Sequence, residues 1–317
     1  MSNLSSFDKS FKQYLTSKIT DNNNTYTHQD LVLKNKYYID KNELPIFYKL
    51  IKNGIEIGYE NMNICERNNK DNKSIIVDLD FKYIKNEDND RRYNLDIINK
   101  FIKIYFDKIS EYHYIVEGCN IALIYEKEKP YYNIDRNEIK DGVHIVFPYI
   151  RTNNLYQEKI REEVINSGLL DNLFSSMNCN NSLEDILDKA VLKNAWLLYG
   201  NRKEKNKLPY MYKHCISYDK ENKEVSLEQK DFDIEKLIIL RSVRHVKINT
   251  EFLENDMTPI VKKIDKKLKQ NNHISNMYTL NSSNIIKDHK YKLILRLVKM
   301  LNIKRVENYE DWIKLGW

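Results

Sequence analysis

The run Ser74 to Phe81 (SIIVDLDF) sets β-branched and apolar residues around two acids, the pattern of a buried strand that carries something polar. Upstream, Phe7, Phe11 and Leu15 recur at helical spacing within a polar segment that ends in Asp21, Asn22, Asn23 and Asn24. This predicts a short helix followed by a loop. Lys36 to Ile39 reads as extended and Leu44 to Ile51 as helical, before Arg67 to Lys73 (RNNKDNK) makes a polar turn. Downstream the pattern predicts a helix from about Leu95 to Ser110 and strands over Tyr112 to Glu117 and Ile121 to Glu126. A short strand over Gly142 to Pro148 follows, then helices over Leu155 to Ile165 and Leu183 to Lys193. Trp196 to Tyr199 is a short apolar segment closed by Gly200. Strands and helices alternate irregularly, which predicts an α+β fold rather than a doubly wound sheet.

The core domain is expected to end near Ile248. In Val261 to Gln270 (VKKIDKKLKQ), Val261, Ile264 and Leu268 sit at helical spacing, so this lysine-rich run reads as an amphipathic helix. Asn271 to Asn284 has a linker's composition. Ile285 to Leu301 presents a helical apolar face, and a further element begins at Tyr309. Ending on that apolar segment at Trp317 predicts a longer natural protein cut inside its second domain.

The chain has 317 residues, 41% of them hydrophobic and 31% charged, a globular composition on the polar side. No stretch approaches the roughly 18 apolar residues of a spanning helix, and Met1 to Lys12 lacks the apolar core of a secretory signal. The expectation is an intracellular protein with no membrane partner. Seven glycines are present, and none forms a Gly-x-x-x-x-Gly-Lys-Ser/Thr loop or a Gly-x-Gly-x-x-Gly turn. Phosphate chemistry here needs another device. The four cysteines, Cys65, Cys119, Cys179 and Cys215, stand singly, so neither a zinc site nor a disulfide framework is expected.

Lys and Arg exceed Asp and Glu by 52 to 46, a net charge of +6 that permits a polyanionic partner without demanding one. Asn201 to His214 (NRKEKNKLPYMYKH) concentrates Arg202, Lys203, Lys205, Lys207 and Lys213, with Tyr210 and Tyr212 interleaved. Cations that pair with phosphates beside rings that stack on bases suit a single-strand groove. A solvated loop in a lysine-rich protein reads the same way.

Asp78 and Asp80 flank Leu79, so in a strand both carboxylates leave one face, roughly 7 Å apart at Cα. Two divalent ions can be held by such a pair, in the arrangement that clamps the attacking and leaving oxygens of phosphoryl transfer. An edge strand with both acids in water fits equally well. His144 stands in Asp141 to Pro148 (DGVHIVFP), where Gly142 leaves room near the backbone. Its ring either reaches an incoming phosphate or sugar or is a hydrogen-bonded core residue. Asp188 lies in the helical pattern Leu183 to Lys193 beside Glu184 and Asp185, and nothing singles it out by itself.

The order of these pieces is more specific than any one of them. An apolar strand ending Asp-x-Asp, then a small residue, any residue and His on a strand, then an apolar residue and Asp resembles the archaeo-eukaryotic primase family. Residues 78 to 81, 141 to 148, 186 to 203 (ILDKAVLKNAWLLYGNRK) and 237 to 245 (LIILRSVRH) resemble the primase domain of primase-helicase fusions of large DNA viruses, of the poxvirus and giant-virus type. The resemblance implies a primase-like catalytic core over 25–250, a mixed sheet with an RRM-like half. A polar helix or tail (1–24) precedes it, and a basic helix and linker (251–284) and the start of a small helical domain (285–317) follow.

The resemblance further implies a nucleotidyltransferase that makes primers on single-stranded DNA from nucleoside triphosphates, using two Mg²⁺ or Mn²⁺ ions. Asp78, Asp80 and Asp188 would hold the ions, and His144 would contact the incoming nucleotide. Beyond what the family motif fixes, Lys203 and Arg202, which follow Gly200 in the matching stretch, are expected to touch the triphosphate or template, and the basic run is expected to bring Lys203, Lys205, Lys207, Tyr210 and Tyr212 to the nucleic acid. The partners implied are template, triphosphates and the helicase region of the full-length protein, at a viral replication site or in the host cytoplasm. Two other readings stay open: a catalytically silent module that binds single-stranded DNA and docks a helicase, and a metal-dependent nuclease.

Overall fold

A computed structural model describes residues 2–70, 72–84, 90–112, 119–218, 224–226 and 232–244. The expected strand after Tyr112, the domain end near Ile248, the basic helix, the linker and the helical segment at 285–317 lie outside the described residues, apart from Tyr112 itself. The described residues fall in the first of the two units, 1–261 and 262–317, into which the chain divides.

Phe7, Phe11 and Leu15 line one face of α1 (Ser2–Thr16), and Phe7 and Phe11 both meet the Tyr59 ring edge-on. The N-terminal helix is thus packed into the core, with Phe11 and Leu15 buried. β1 (His28–Asp30) and β2 (Lys36–Tyr37) form a hairpin whose turn is held by Asp30 Oδ1, which accepts from the amides of Val32 and Leu33 at 2.7 Å. α2 (Leu44–Glu56) starts with Pro45 in its first turn and buries Leu44, Phe47, Tyr48 and Ile51 along one stripe. β3 (Ile64–Glu66) follows, then β4 (Lys73–Ile84) and α3 (Leu95–Tyr112).

β5 (Ile121–Glu126) has the bounds that the sequence predicts, whereas the short strand expected at Gly142 to Pro148 is the middle of β7 (Glu138–Thr152). β6 (Tyr131–Asn133) pairs with the start of β7 as a hairpin. α4 (Asn154–Ile165) is capped by the Asn153 side chain, and α5 (Leu169–Phe174) and α6 (Leu183–Ile186) are short. β8 (Trp196–Leu197), β9 (Met211–Tyr218), β10 (Glu224–Ser226) and α7 (Ile234–Arg241) complete the described elements.

The strands make a small sheet in the order β2-β1-β3-β8 and a large one in the order β10-β9-β5-β7-β4. The α+β class stands. Every described pairing is antiparallel, where the resemblance implies a mixed sheet. β4 and β5 do run in the same direction, joined through α3, but β7 lies between them and pairs antiparallel with both.

Alternation on β4 sorts its residues between two cores. Ile75, Val77, Leu79, Phe81 and Tyr83 are buried against Phe101, Ile102, Ile160 and Phe174 of α3, α4 and α5. Ile76, with Leu123, Tyr125 and Val146 of β5 and β7, is buried in the second core, which α1, α2, α7 and the small sheet share. Each such side chain contributes about 1.5–3 kcal/mol of burial, so a one-residue slip of β4 would forfeit the whole set. The second layer covers β4 only as far as Ile76. From there the same face opens, and Asp78, Asp80 and Lys82 are partly exposed on it.

Two devices fix β4 at this point. The register with β7 shifts between Ser74 and Ile75, opposite the stretch that contains Pro148, which cannot donate to the ladder. Gln157 of α4 fills in: its Nε2 donates to the Ser74 carbonyl at 3.1 Å and its Oε1 accepts from the Ile76 amide at 3.4 Å. On the outer edge, the carbonyls of Asp78, Asp80 and Lys82 accept from the Asp188 amide, Asn181 Nδ2 and the Asn180 amide at 3.0, 2.8 and 2.8 Å. The edge is thereby closed to a further strand.

This edge corrects one expected element. The helix over Leu183 to Lys193 breaks after Ile186, because Leu187 leaves it to pair with Leu79. A new short 3₁₀ turn begins only at Lys189 (Lys189–Leu192).

Candidate active site

Successive rungs of the β4–β7 ladder present Ile76 opposite Val146, Asp78 opposite His144, Asp80 opposite Gly142, and Lys82 opposite Lys140. Strand alternation puts all of these on one face. Their order along the strand runs from apolar core, through two acids, to a pair of lysines at the open end.

Asp78 Oδ1 lies 3.3 Å from His144 Nε2; the carboxylate side chain is 21% exposed and the imidazole 6%. Burial pushes the Asp78 carboxyl up, but the His144 contact together with the charges of Lys203 and Lys127 outweighs it and holds the group below the usual carboxylate range. Asp80 moves the other way. Burial, then the neighbouring Asp78 charge, push it up against the opposing pull of Lys140, Lys82 and Lys203. The two acids are thus shifted in opposite directions, and a divalent cation bound at them would relieve the repulsion between their charges. Hard carboxylate oxygens on one strand face fit Mg²⁺ or Mn²⁺ in donor chemistry.

Asp188 is brought to this pair by its backbone. Its amide bonds the Asp78 carbonyl and its neighbour Leu187 pairs with Leu79, which sets Asp188 beside Asp78 on the outer side of β4. One of its oxygens is engaged: Oδ1 accepts from the Ala190 amide at 2.8 Å and caps the short turn that follows. Among the described residues no three His, Cys, Asp or Glu side chains converge as a metal-holding group. None of the four cysteines is joined in a disulfide.

His144 is more enclosed than a nucleotide contact requires. Its ring stacks on Tyr210 at 3.5 Å between centroids and lies 4.6 Å from the Trp196 ring. Nδ1 is 2.5 Å from an Arg241 nitrogen. Burial first, with Arg241 and Lys203 adding to it, pushes the imidazole down to about 4 against the pull of Asp78.

Gly142 also has a different use from the expected room for a ligand. A Cβ there would meet the Leu79 carbonyl oxygen at 2.8 Å and the Tyr210 hydroxyl at 3.0 Å. The missing side chain lets β4 and Tyr210 close in.

The basic run divides. Lys203 is exposed and close enough for its charge to act on Asp78, Asp80 and His144. Arg202 turns away, bonded to Glu60 at 3.1 Å, and its backbone is held by Met62 and Asn63. Lys207 Nζ stands 4.6 Å from the centre of the Tyr131 ring, while Lys205 is exposed. Tyr210 and Tyr212 correct the expectation of free stacking platforms. Tyr210 is 8% exposed with its face on His144, and Tyr212 meets Tyr125 and Phe232 edge-on.

Sequence reasoning missed three residues at this site. Lys127 follows β5 and lies 4.9 Å from the Tyr210 ring and 4.7 Å from that of Tyr131. Burial and the nearby Lys203 push its ammonium down to about 8, against the pull of Asp78 and Asp80. Tyr131, half-buried on β6, is the ring on which Lys127 and Lys207 meet. Neither had a local signal. Arg241 did: a lone arginine inside the apolar run LIILRSV is either solvent-facing or buried for a purpose.

Known proteins align with the whole of this region. The family profile of the C962R protein N-terminal AEP domain matches residues 27–216, from β1 to the middle of β9. L207/L206 of Acanthamoeba polyphaga mimivirus, a helicase-named protein, is 30% identical over 311 residues, covering 89% of this chain and 31% of the viral protein. The helicase-named 121R of Invertebrate iridescent virus 3 is 24% identical over 328 residues, covering 92% of the chain and 33% of its own length. The chain thus spans about a third of the length of these curated relatives. Among the described residues no helix is long and apolar enough to cross a membrane. With the Asp-x-Asp strand, the histidine opposite it and the third acid on its edge all inside or beside the matched span, the chain belongs to the archaeo-eukaryotic primase domains of the C962R N-terminal type.

Proposed function

We propose that this chain is the catalytic domain of a DNA primase, which joins nucleoside triphosphates into a primer on a single-stranded DNA template. In the full-length viral protein it would act beside a helicase region. The observation that carries this reading is the ladder itself: two same-face acids at the open end of the sheet, Asp78 opposite His144, with Lys82 and Lys140 on the next rung.

Asp78 and Asp80 would hold divalent ions, with Asp188, whose Oδ1 accepts from the Ala190 amide, standing beside them at the edge of β4. When bound, such ions lower the pKa of an attacking 3′-hydroxyl and neutralise charge on the triphosphate and the departing pyrophosphate. His144 orients Asp78 through Nε2. Lys203, Lys127 and Lys207 would supply positive charge where the triphosphate or template backbone arrives. No protein nucleophile is required. Polyphosphate in this class of reaction is positioned by cations, so the lack of a phosphate-cradling glycine loop is no obstacle.

Nucleotide binding separates this proposal from its rivals. A primase binds a nucleoside triphosphate in the presence of Mg²⁺ or Mn²⁺ and loses that binding on Asp78→Ala. Oligonucleotide binding with no triphosphate binding under any metal would instead support a silent module, a reading that the engagement of Asp188 with Ala190 favours. Metal-dependent cleavage of the oligonucleotide would support a nuclease.

A further inference from the structure

Arg241 ends α7 and is 1% exposed. Taking a guanidinium out of water costs several kcal/mol unless its surroundings compensate. Its partners here are not carboxylates. Nε donates to the Leu197 carbonyl at 3.0 Å, one terminal nitrogen donates to His144 Nδ1 at 2.5 Å, and the other has no hydrogen-bond partner. The guanidinium carbon lies 4.5 Å from the centre of the Tyr125 ring and 4.7 Å from that of Trp196, contacts that recover part of the cost through the ring faces.

The backbone around Arg241 is pinned on both sides. Its carbonyl accepts from Trp196 Nε1 at 3.0 Å. The next two residues bind a fully buried Glu66: Ser242 Oγ donates to Oε1 and the Val243 amide to Oε2, each at 2.7 Å. The arginine is thus aimed by structure well away from the acids themselves. An apolar side chain would fill the same cage at lower cost, so what needs explaining is the directed donor.

A guanidinium has donors and no acceptor. Nδ1 of His144 must therefore accept, and a neutral imidazole that accepts at Nδ1 carries its proton on Nε2. That proton faces Asp78 Oδ1. The opposite tautomer would set a lone pair against the carboxylate and a second N–H against the arginine. We propose that Arg241 is a positioning residue: acting through His144, it fixes the imidazole with Nε2–H on Asp78 and so sets which oxygen that carboxylate offers to a cation. The proposal rests on the reading of Asp78 as a cation-holding group.

The first test needs neither metal nor activity. In the 317-residue chain labelled with ¹⁵N-histidine, His144, identified by the resonances lost in His144→Gln, should show a protonated Nε2 and an unprotonated Nδ1. The reverse pattern overturns the proposal. The second is Mn²⁺ titration without nucleotide on the wild type, Arg241→Met, Arg241→Lys, His144→Gln and the Arg241→Met/His144→Gln double variant.

Arg241→Met should weaken Mn²⁺ binding by about 10- to 100-fold, the usual loss when the partner of a ligand is removed. Arg241→Lys, which keeps a donor, should recover part of it. The double variant should bind no more weakly than His144→Gln alone, because the two residues act in series. Additive losses, or wild-type affinity in a folded Arg241→Met, overturn the proposal. If the wild type binds no Mn²⁺, the reading of Asp78 fails instead, and the histidine tautomer decides the positioning claim by itself.

Discussion

His144 and Asp78 face each other across the β4–β7 ladder, Nε2 3.3 Å from Oδ1, and the imidazole is closed in by Tyr210, Trp196 and Arg241. The histidine is at once a core residue and a partner of the candidate acid. His144→Ala should therefore cost about 2–4 kcal/mol of stability, from the cavity and from the buried arginine donor left unpaired. Denaturant unfolding checks this. A loss below about 1 kcal/mol would show that the ring is not packed as described.

Gly142→Ala tests the closeness of β7 to β4. Its Cβ would lie 2.8 Å from the Leu79 carbonyl, a backbone atom that cannot rotate away. We expect a loss of about 1–3 kcal/mol in stability. Because Gly142 stands opposite Asp80, metal-dependent nucleotide binding should fall as well. Unchanged stability with unchanged nucleotide binding would mean that the strands have room to spare.

The distinction between the acids and their neighbours shows how far the sequence alone reaches. Period-two alternation made β4 and the shared face of Asp78 and Asp80 legible, since Ile75, Val77 and Leu79 read as one buried row. Asp188 was legible only through the family resemblance. Ile186, Leu187, Ala190 and Val191 give a helical period, and what breaks that helix is distant: the edge of β4 lacks a partner, and Leu187 supplies it. Tyr210 read as a stacking ring because local sequence cannot tell that Gly142, far along the chain, admits it beneath His144. Lys127 was invisible for the same reason, being placed near the acids only by where β5 ends.

Lys73 gives a pH signature of the fold. Fully buried at the start of β4, it donates to Asn68 Oδ1 at 2.7 Å and to the Leu192 carbonyl at 3.4 Å. Burial pushes its ammonium down to about 7 from an ordinary 10.5. Between those values the unfolded chain binds more protons than the folded one, so this group makes stability rise with pH. The stability difference between wild type and Lys73→Met should grow in favour of the wild type from pH 7 to pH 10, by up to about 1.4 kcal/mol per pH unit. Parallel stability curves for the two proteins would contradict the buried charge.

The lysines around the acids should differ in their effect on oligonucleotide binding. Lys127 and Lys207 meet on the Tyr131 ring and the charge of Lys203 acts on Asp80, whereas Lys205 is exposed. Alanine at each of the first three should lower the salt slope of single-stranded DNA binding by about 0.7, one phosphate contact each. Lys205→Ala should change it less. An equal effect at all four would mean a diffuse basic surface rather than a groove at the acids.

The most direct measurement is incorporation of labelled nucleotide on unprimed single-stranded DNA with Mg²⁺ or Mn²⁺, comparing the chain with its Asp78→Ala/Asp80→Ala variant. The account predicts short products from the wild type and none from the variant, with both proteins folded and both still binding the template. Products of equal yield from the variant would contradict it, because the two acids at the open end of the ladder would then have no part in the chemistry.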